Sequence, residues 1–170
     1  VLCDNEIDRD YEAFSVNALN QLSSLFVGKT GIANHNPIAE NQTARIFACN
    51  VEAVQGKKTS YGSDYYRLLA RAYIPINEFT QKDIQLIEAG IKKEVSVGCS
   101  VDEILCSECG ANIRINHCEH YKGENGCYHI LNSITDAYEW SFVVIPSQRE
   151  AGVIKSYNTD NKELNIISEI

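Results

Sequence analysis

The chain has 170 residues, 44% hydrophobic and 22% charged, which suits one globular domain able to bury about 70% of its unfolded surface and excludes disorder or a fibrous repeat. Fifteen Lys and Arg against 23 Asp and Glu leave a net charge of -8, a field that repels polyanions and argues against nucleic acid as a partner. No apolar run approaches the ~20 residues of a membrane span, and the acidic opening Val1-Leu-Cys-Asp-Asn-Glu6 lacks the basic and apolar regions of a secretory signal, which points to a cytoplasm.

Asp8 and Asp10 are N-cap candidates for a helix over about 10–26, in which Tyr11, Phe14, Ala18, Leu22 and Leu25 recur at helical spacing before Gly28. Residues 28–42 are rich in Gly, Asn and Pro, so they read as turns and place His35 on a loop. Phe47, Cys49, Val51 and Ala53 alternate along a strand over about 45–54, and 55–63, with two glycines, is its turn. Tyr66, Leu68, Ala70, Ala72, Ile74 and Ile76 then share one side of a returning strand. Thr80-Gln-Lys-Asp83 resembles a capping box, with Ile84, Ile87 and Ile91 continuing a short helix toward Gly90.

The clearest alternation follows: Val95, Val97, Cys99 and Val101 belong to the core, while Ser96, Gly98 and Ser100 share the opposite face. Beyond an insertion-like stretch at 104–130, residues 138–145 read as a strand with Trp140, Phe142 and Val144 on one side and Glu139 and Ser141 on the other, ended by Pro146. The pattern is α+β, one domain over 1–155 that contains the 104–130 insertion, with a tail at 156–170 in which no chemistry is legible.

Seven cysteines are an odd number, and five of them, with three of the four histidines, fall in one stretch. That clustering points to a metal rather than a disulfide framework. Cys106-x2-Cys109 presents two thiolates from one tight turn helped by Gly110, and Cys118-x-His120 and Cys127-x-His129 follow. Zinc accepts thiolate and imidazole in a tetrahedron. The first ligand set is Cys106, Cys109, Cys118 and His120, with Cys127 in place of His120 as the alternative. Four protein ligands would make the site closed and structural. Cys3 and Cys49 stand alone and read as buried small hydrophobes.

Taken singly, Ser96 is a strand serine, His35 a loop histidine and Glu139 a solvated carboxylate. Together they supply a hydroxyl nucleophile, a base that works near neutral pH and a carboxylate to hold the base's tautomer. Gly-x-Ser-x-Gly, Walker A, the dinucleotide-binding glycine pattern and His-Glu-x-x-His are absent.

Val95-Ser-Val-Gly-Cys99, Ala137-Tyr-Glu-Trp-Ser-Phe-Val-Val-Ile-Pro146, the His35 loop and Glu6-Ile-Asp-Arg-Asp10 resemble the tailed-phage prohead (head maturation) serine proteases, usually prophage-encoded. The resemblance spans about residues 4 to 155, and the order His, Ser, Glu agrees with it. It implies an antiparallel β-barrel-like sheet with flanking helices, similar to the herpesvirus assemblins, here carrying a zinc-knuckle insertion that typical members lack. It also implies a serine endopeptidase with Ser96 as nucleophile, His35 as base and Glu139 as the third member. The related herpesvirus-type arrangement uses a second histidine there, for which His117, His120 and His129 are the candidates. The implied substrates are phage scaffold or capsid protein segments and the chain itself, inside an immature phage head in a bacterial cytoplasm, with a homo-oligomer as a further partner. Cys99 stands where the family commonly has Phe, and Trp140 where it has Val. The alternative from the residues alone is a non-catalytic, zinc-stabilised capsid-assembly or adaptor binding module; a redox-sensing thiol cluster is a third reading.

Overall fold

A computed structural model describes residues 1–154 and, as backbone, 157–158 and 164–167. The architecture is α+β: among the described residues, one sheet of nine strands with two α-helices against it. Strand β1 (Cys3–Asp4) pairs antiparallel with β5 (Asp64–Pro75), and β2 (Glu12–Phe14) pairs parallel with the start of β7 (His129–Phe142).

That second pairing shortens the first helix. Residues 12–14 are tied to His129–Leu131, so α1 runs over Val16–Leu25 rather than from about 10. Ser15, not Asp8 or Asp10, is the cap: its hydroxyl accepts from the Ala18 N–H at 3.0 Å. The Asp8 carboxylate instead accepts from the N–H groups of Asp10 and Glu12, which folds the preceding turn. Ala18, Leu19, Leu22 and Phe26 bury the inner face of this region.

The glycine-rich stretch read as turns contains a strand, β3 (Thr30–Ala33), held antiparallel to β4 and parallel to β7. Gly31 lies against the Trp140 indole, where a Cβ would come within 2.5 Å of a ring carbon. Strands β4 (Ala44–Lys58) and β5 (Asp64–Pro75) form the expected hairpin, with a shorter turn than 55–63. A register shift between Ile46 and Ala48 puts Ile46 in the core and leaves Phe47 44% exposed, reversing its expected side. Leu68, Ala70, Ala72 and Ile74 are buried as the alternation requires.

Helix α2 (Gln81–Glu88) buries Ile84 and Ile87, but it ends before Ile91, which is exposed. The Thr80 side chain makes no cap bond; it turns back to the Pro75 carbonyl. Strands β6 (Val95–Cys106) and β7 (His129–Phe142) form a long antiparallel hairpin whose connection is the cysteine-rich module. β7 thus begins nine residues before the expected 138, and Val144, beyond its end, is exposed.

The sheet does not close into the barrel that the resemblance implies. Loop backbone bridges its gap: Gly152 exchanges hydrogen bonds with Val1, and Glu94 bridges to Gly152. The expected tail includes β8 (Tyr157–Asn158) and β9 (Leu164–Ile167), and β9 pairs with β5.

Candidate active site and metal cluster

The parallel pairing of β3 with β7 sets Ala33 beside Phe142. The chain then turns sharply: Asn34 and His35 have φ of 55° and 51°, in the left-handed region, and the Asn36 N–H returns to the Ala33 carbonyl. This turn carries the His35 ring back over β7. Its Nδ1 lies 2.7 Å from Glu139 Oε1, and the two side chains are 42% and 13% exposed. The other oxygen, Oε2, accepts from the Ser141 hydroxyl at 2.7 Å, and that hydroxyl accepts from the His35 backbone N–H at 3.0 Å. A carboxylate is an acceptor, so neutral His35 carries its proton on Nδ1 and presents the Nε2 lone pair outward. Nε2 has no hydrogen-bond partner among the described residues.

Ser96 lies directly across from Ser141, and Gly98 across from Glu139, in the β6–β7 ladder. Alternation places Ser96 and Gly98 on one face. The half-buried Ser96 hydroxyl makes no hydrogen bond among the described residues. The structure therefore brings His35 and Glu139 into contact and leaves Ser96 on the adjoining strand without a bond to His35. His117, His120 and His129 share no hydrogen bond with His35 among the described residues. Ser141 was legible as a neighbour of Glu139 on the same strand face; its role as a clamp on both His35 and Glu139 was not.

Gly98 leaves room for the carboxylate, since a Cβ there would sit 2.6 Å from Glu139 Oε1. The obstructing atom ends a flexible side chain, so Gly98→Ala should fold normally while pushing the carboxylate off His35. A misplacement of this kind costs on the order of 100-fold in a reaction that depends on orientation. Turnover assays beside thermal melts check it: activity should fall with little change in melting temperature.

The metal cluster grows from the β6–β7 hairpin. At the end of β6 the Gly110 N–H bonds the Cys106 carbonyl at 2.9 Å, and Gly110 takes φ of 70° to close the knuckle. The Sγ atoms of Cys106, Cys109 and Cys118 and a ring nitrogen of His120 lie within 4.8 Å of one another, a group that could hold a metal ion. Cys109 and Cys118 sulfurs are 3.4 Å apart, and Cys118 Sγ is 3.3 Å from His120 Nδ1. Zn–S bonds of about 2.3 Å in a tetrahedron require sulfurs roughly 3.8 Å apart, so the donors are close to a zinc geometry. Cys127 Sγ stands 3.8 Å from Cys106 Sγ but lies outside the mutually close group. The clustered thiols titrate against one another: burial pushes Cys106 up, but hydrogen bonds from the backbones of Cys109 and Glu108 and from the Cys118 and Cys109 side chains bring it down, while Cys118 and Cys127 are pushed up, in part by their bonds to Cys106.

The remaining thiols are chemically quiet. Cys3 is buried, and burial pushes it well above its ordinary value. Burial likewise pushes Cys49 up to about 12 and Cys99 up to about 11. No helix among the described residues is long and apolar enough to cross a membrane. Comparison with family models, with curated proteins and with solved structures finds no match for the chain.

Proposed function

We propose that the chain is a serine endopeptidase of the prohead-maturation kind, cleaving scaffold or capsid protein segments and itself in an assembling phage head within a bacterial cytoplasm. The observation that carries this reading is the 2.7 Å contact between His35 Nδ1 and Glu139 Oε1. These residues, 104 apart in sequence, are the base and its orienting carboxylate that the sequence pattern singles out. The sheet is open, so the likeness to the assemblins rests on the His35, Ser96 and Glu139 pattern and not on a barrel.

In this reading His35 Nε2 takes the Ser96 Oγ proton as the oxygen bonds to the scissile carbonyl carbon. Collapse of the tetrahedral intermediate breaks the C–N bond, and the same proton passes from Nε2 to the leaving amine. Water then hydrolyses the acyl–Ser96 ester by the reverse proton path. Glu139 holds the imidazole in the Nδ1–H tautomer and stabilises the imidazolium. Ser96 lies within a strand rather than at a turn, so the oxyanion donors are main-chain N–H groups of β6 or of an adjacent loop. Approach of Ser96 to His35 is left to substrate binding, which commonly tightens such contacts.

Zinc held by Cys106, Cys109, Cys118 and His120 would supply a structural cross-link and no chemistry of the reaction. It would brace the connection between β6, which carries Ser96, and β7, which carries Glu139.

A zinc-stapled binding module without catalysis is the second reading, favoured by the lack of a Ser96–His35 hydrogen bond. Intact mass spectrometry decides between them. Wild-type protein incubated alone and with its scaffold or capsid partner should give discrete fragments, absent with Ser96→Ala and with His35→Ala. Unchanged masses in every sample, with the partner bound, would establish the binding module instead.

A further inference from the structure

β6 is covered on one side by β7 along its whole length. On its other side the two ends are occupied: Val95 bonds to Ala151, while Ile104 and Cys106 bond to Ile113 and Ala111 of the metal module. Between them, from Ser96 to Glu103, no strand pairs with this edge among the described residues. An open edge of this kind is a template for another strand.

A cleft of about 410 Å³ runs along it, lined by Ser96, Val97, Gly98, Cys99, Val101 and Ile104. The core side chains Leu2, Phe14 and Leu131 also line it. Asp8, Asp10 and Glu12 also line it, against one basic residue, Arg114. Glu12 is already paired with Lys122 at 2.6 Å, but neither Asp8 nor Asp10 has an ion-pair partner among the described residues. Burial pushes the Asp8 carboxyl up, and its acidic neighbours Glu12 and Asp10 add to this; a cation beside it would reverse that cost.

An independent feature marks the same place. Gln148 is 6% exposed, and its Oε1 accepts the Asp4 N–H at 3.0 Å, so its Nε2 is the free donor. That buried Nε2 has no hydrogen-bond partner. Gln148, with Asp8, also lines the adjoining 590 Å³ cleft, so both stand at the junction of the two. A buried donor left unpaired is costly, and an incoming acceptor such as a peptide carbonyl removes the cost.

We infer that this groove binds the substrate as an extended peptide segment, added as a strand to the free edge of β6, with a lysine or arginine side chain held by Asp8 and Asp10 and a main-chain carbonyl by Gln148. Strand addition supplies affinity through main-chain bonds that are indifferent to sequence, and the acidic residues supply the selection. The inference rests on the protease reading only for the peptide's fate: a segment lying along β6 passes Ser96.

The test uses the full chain with Ser96→Ala, so that nothing is turned over, and fluorescein-labelled, end-capped hexapeptides of alternating valine and threonine with lysine, glutamate or norleucine at one central position. Fluorescence anisotropy should show the lysine peptide binding about tenfold more tightly than the glutamate peptide, with norleucine between. Amide hydrogen exchange should slow within Ser96–Glu103 when the lysine peptide is present. Asp8→Asn with Asp10→Asn keeps the oxygen that caps the Asp10 and Glu12 amides and should erase the preference while leaving the fold intact. Equal affinities for the three peptides, or protection confined to other strands, would overturn the inference. Lysine-selective binding on β6 without Ser96-dependent cleavage by the wild type would keep the groove and remove the protease. Cleavage that depends on Ser96 but ignores basic residues would do the reverse.

Discussion

Glu139→Gln is expected to lower turnover by about four orders of magnitude while leaving the fold unchanged. The size follows from the tautomer argument, since an orienting amide in place of a carboxylate costs about that much in serine proteases. The local hydrogen bonds decide which way the amide turns. The Ser141 hydroxyl accepts from the His35 N–H, so its own proton is directed at residue 139. A glutamine there gives its oxygen to Ser141 and turns its NH2 group toward His35 Nδ1. The imidazole must then accept at Nδ1 and carry its proton on Nε2, the nitrogen that the proposed mechanism needs free to receive the Ser96 proton. Two measurements check this. Steady-state cleavage should show the loss in kcat, and ¹⁵N spectra of labelled histidine should show His35 changing tautomer. Adding Ser141→Ala to Glu139→Gln removes the bias on the amide and should recover part of the activity. A Glu139→Gln protein with undiminished turnover would show that Glu139 has no part in orienting His35.

Removing the metal is the second large effect. The module at residues 107–128 is the whole connection between β6 and β7, and it is tied to the sheet by a few contacts: main-chain bonds of Ala111 and Ile113 to the end of β6, the Lys122–Glu12 ion pair and the Tyr128–Tyr61 ring contact. Several module side chains, including Ile115 and Tyr121, are exposed, so apolar burial contributes little to its order. A metal on the four clustered donors would add a cross-link to these contacts. Cross-linking a loop of roughly this length stabilises a fold by about 3 kcal/mol, which for a domain of this size corresponds to a fall in Tm of about 6–12 °C. Elemental analysis should find one zinc per chain, lost with Cys109→Ser, and thermal melts in chelator should show the fall. His120→Ala should lose the metal and Cys127→Ser should keep it, because Cys127 lies outside the mutually close set. Retention by His120→Ala and loss by Cys127→Ser would assign the four-cysteine alternative. Because Ser96 and Glu139 flank the module on β6 and β7, any activity should decline with it.

Much of this was legible in the residues because the signals are local. The alternation from Val95 to Val101 needs only period two to set Ser96 apart from the core face, and Cys106-x2-Cys109 needs only a tight turn to bring two thiols together. Errors arose where distant pairing overruled local preference. Residues 12–14 look helical in isolation, yet main-chain bonds to His129–Leu131 draw them into the sheet and move the helix cap to Ser15. The four residues of β3 are too short and too rich in small side chains to show a period; β4 and β7 on either side make them a strand. A bulge at Phe47 sends a large apolar side chain outward, because one extra residue inverts every side that follows.

The sequence by itself determined the α+β character, the β4–β5 hairpin and a group of candidate metal donors, since each depends on neighbours close along the chain. Tertiary structure alone decided that His35 meets Glu139, that Ser141 clamps both, and that the Gln148 Nε2 lies without a partner beside an open strand edge. Most of those relations join residues far apart in the chain, and no periodicity encodes them. They depend on which strands pair, in which direction and in what register, and that choice is made by the packing of the whole chain.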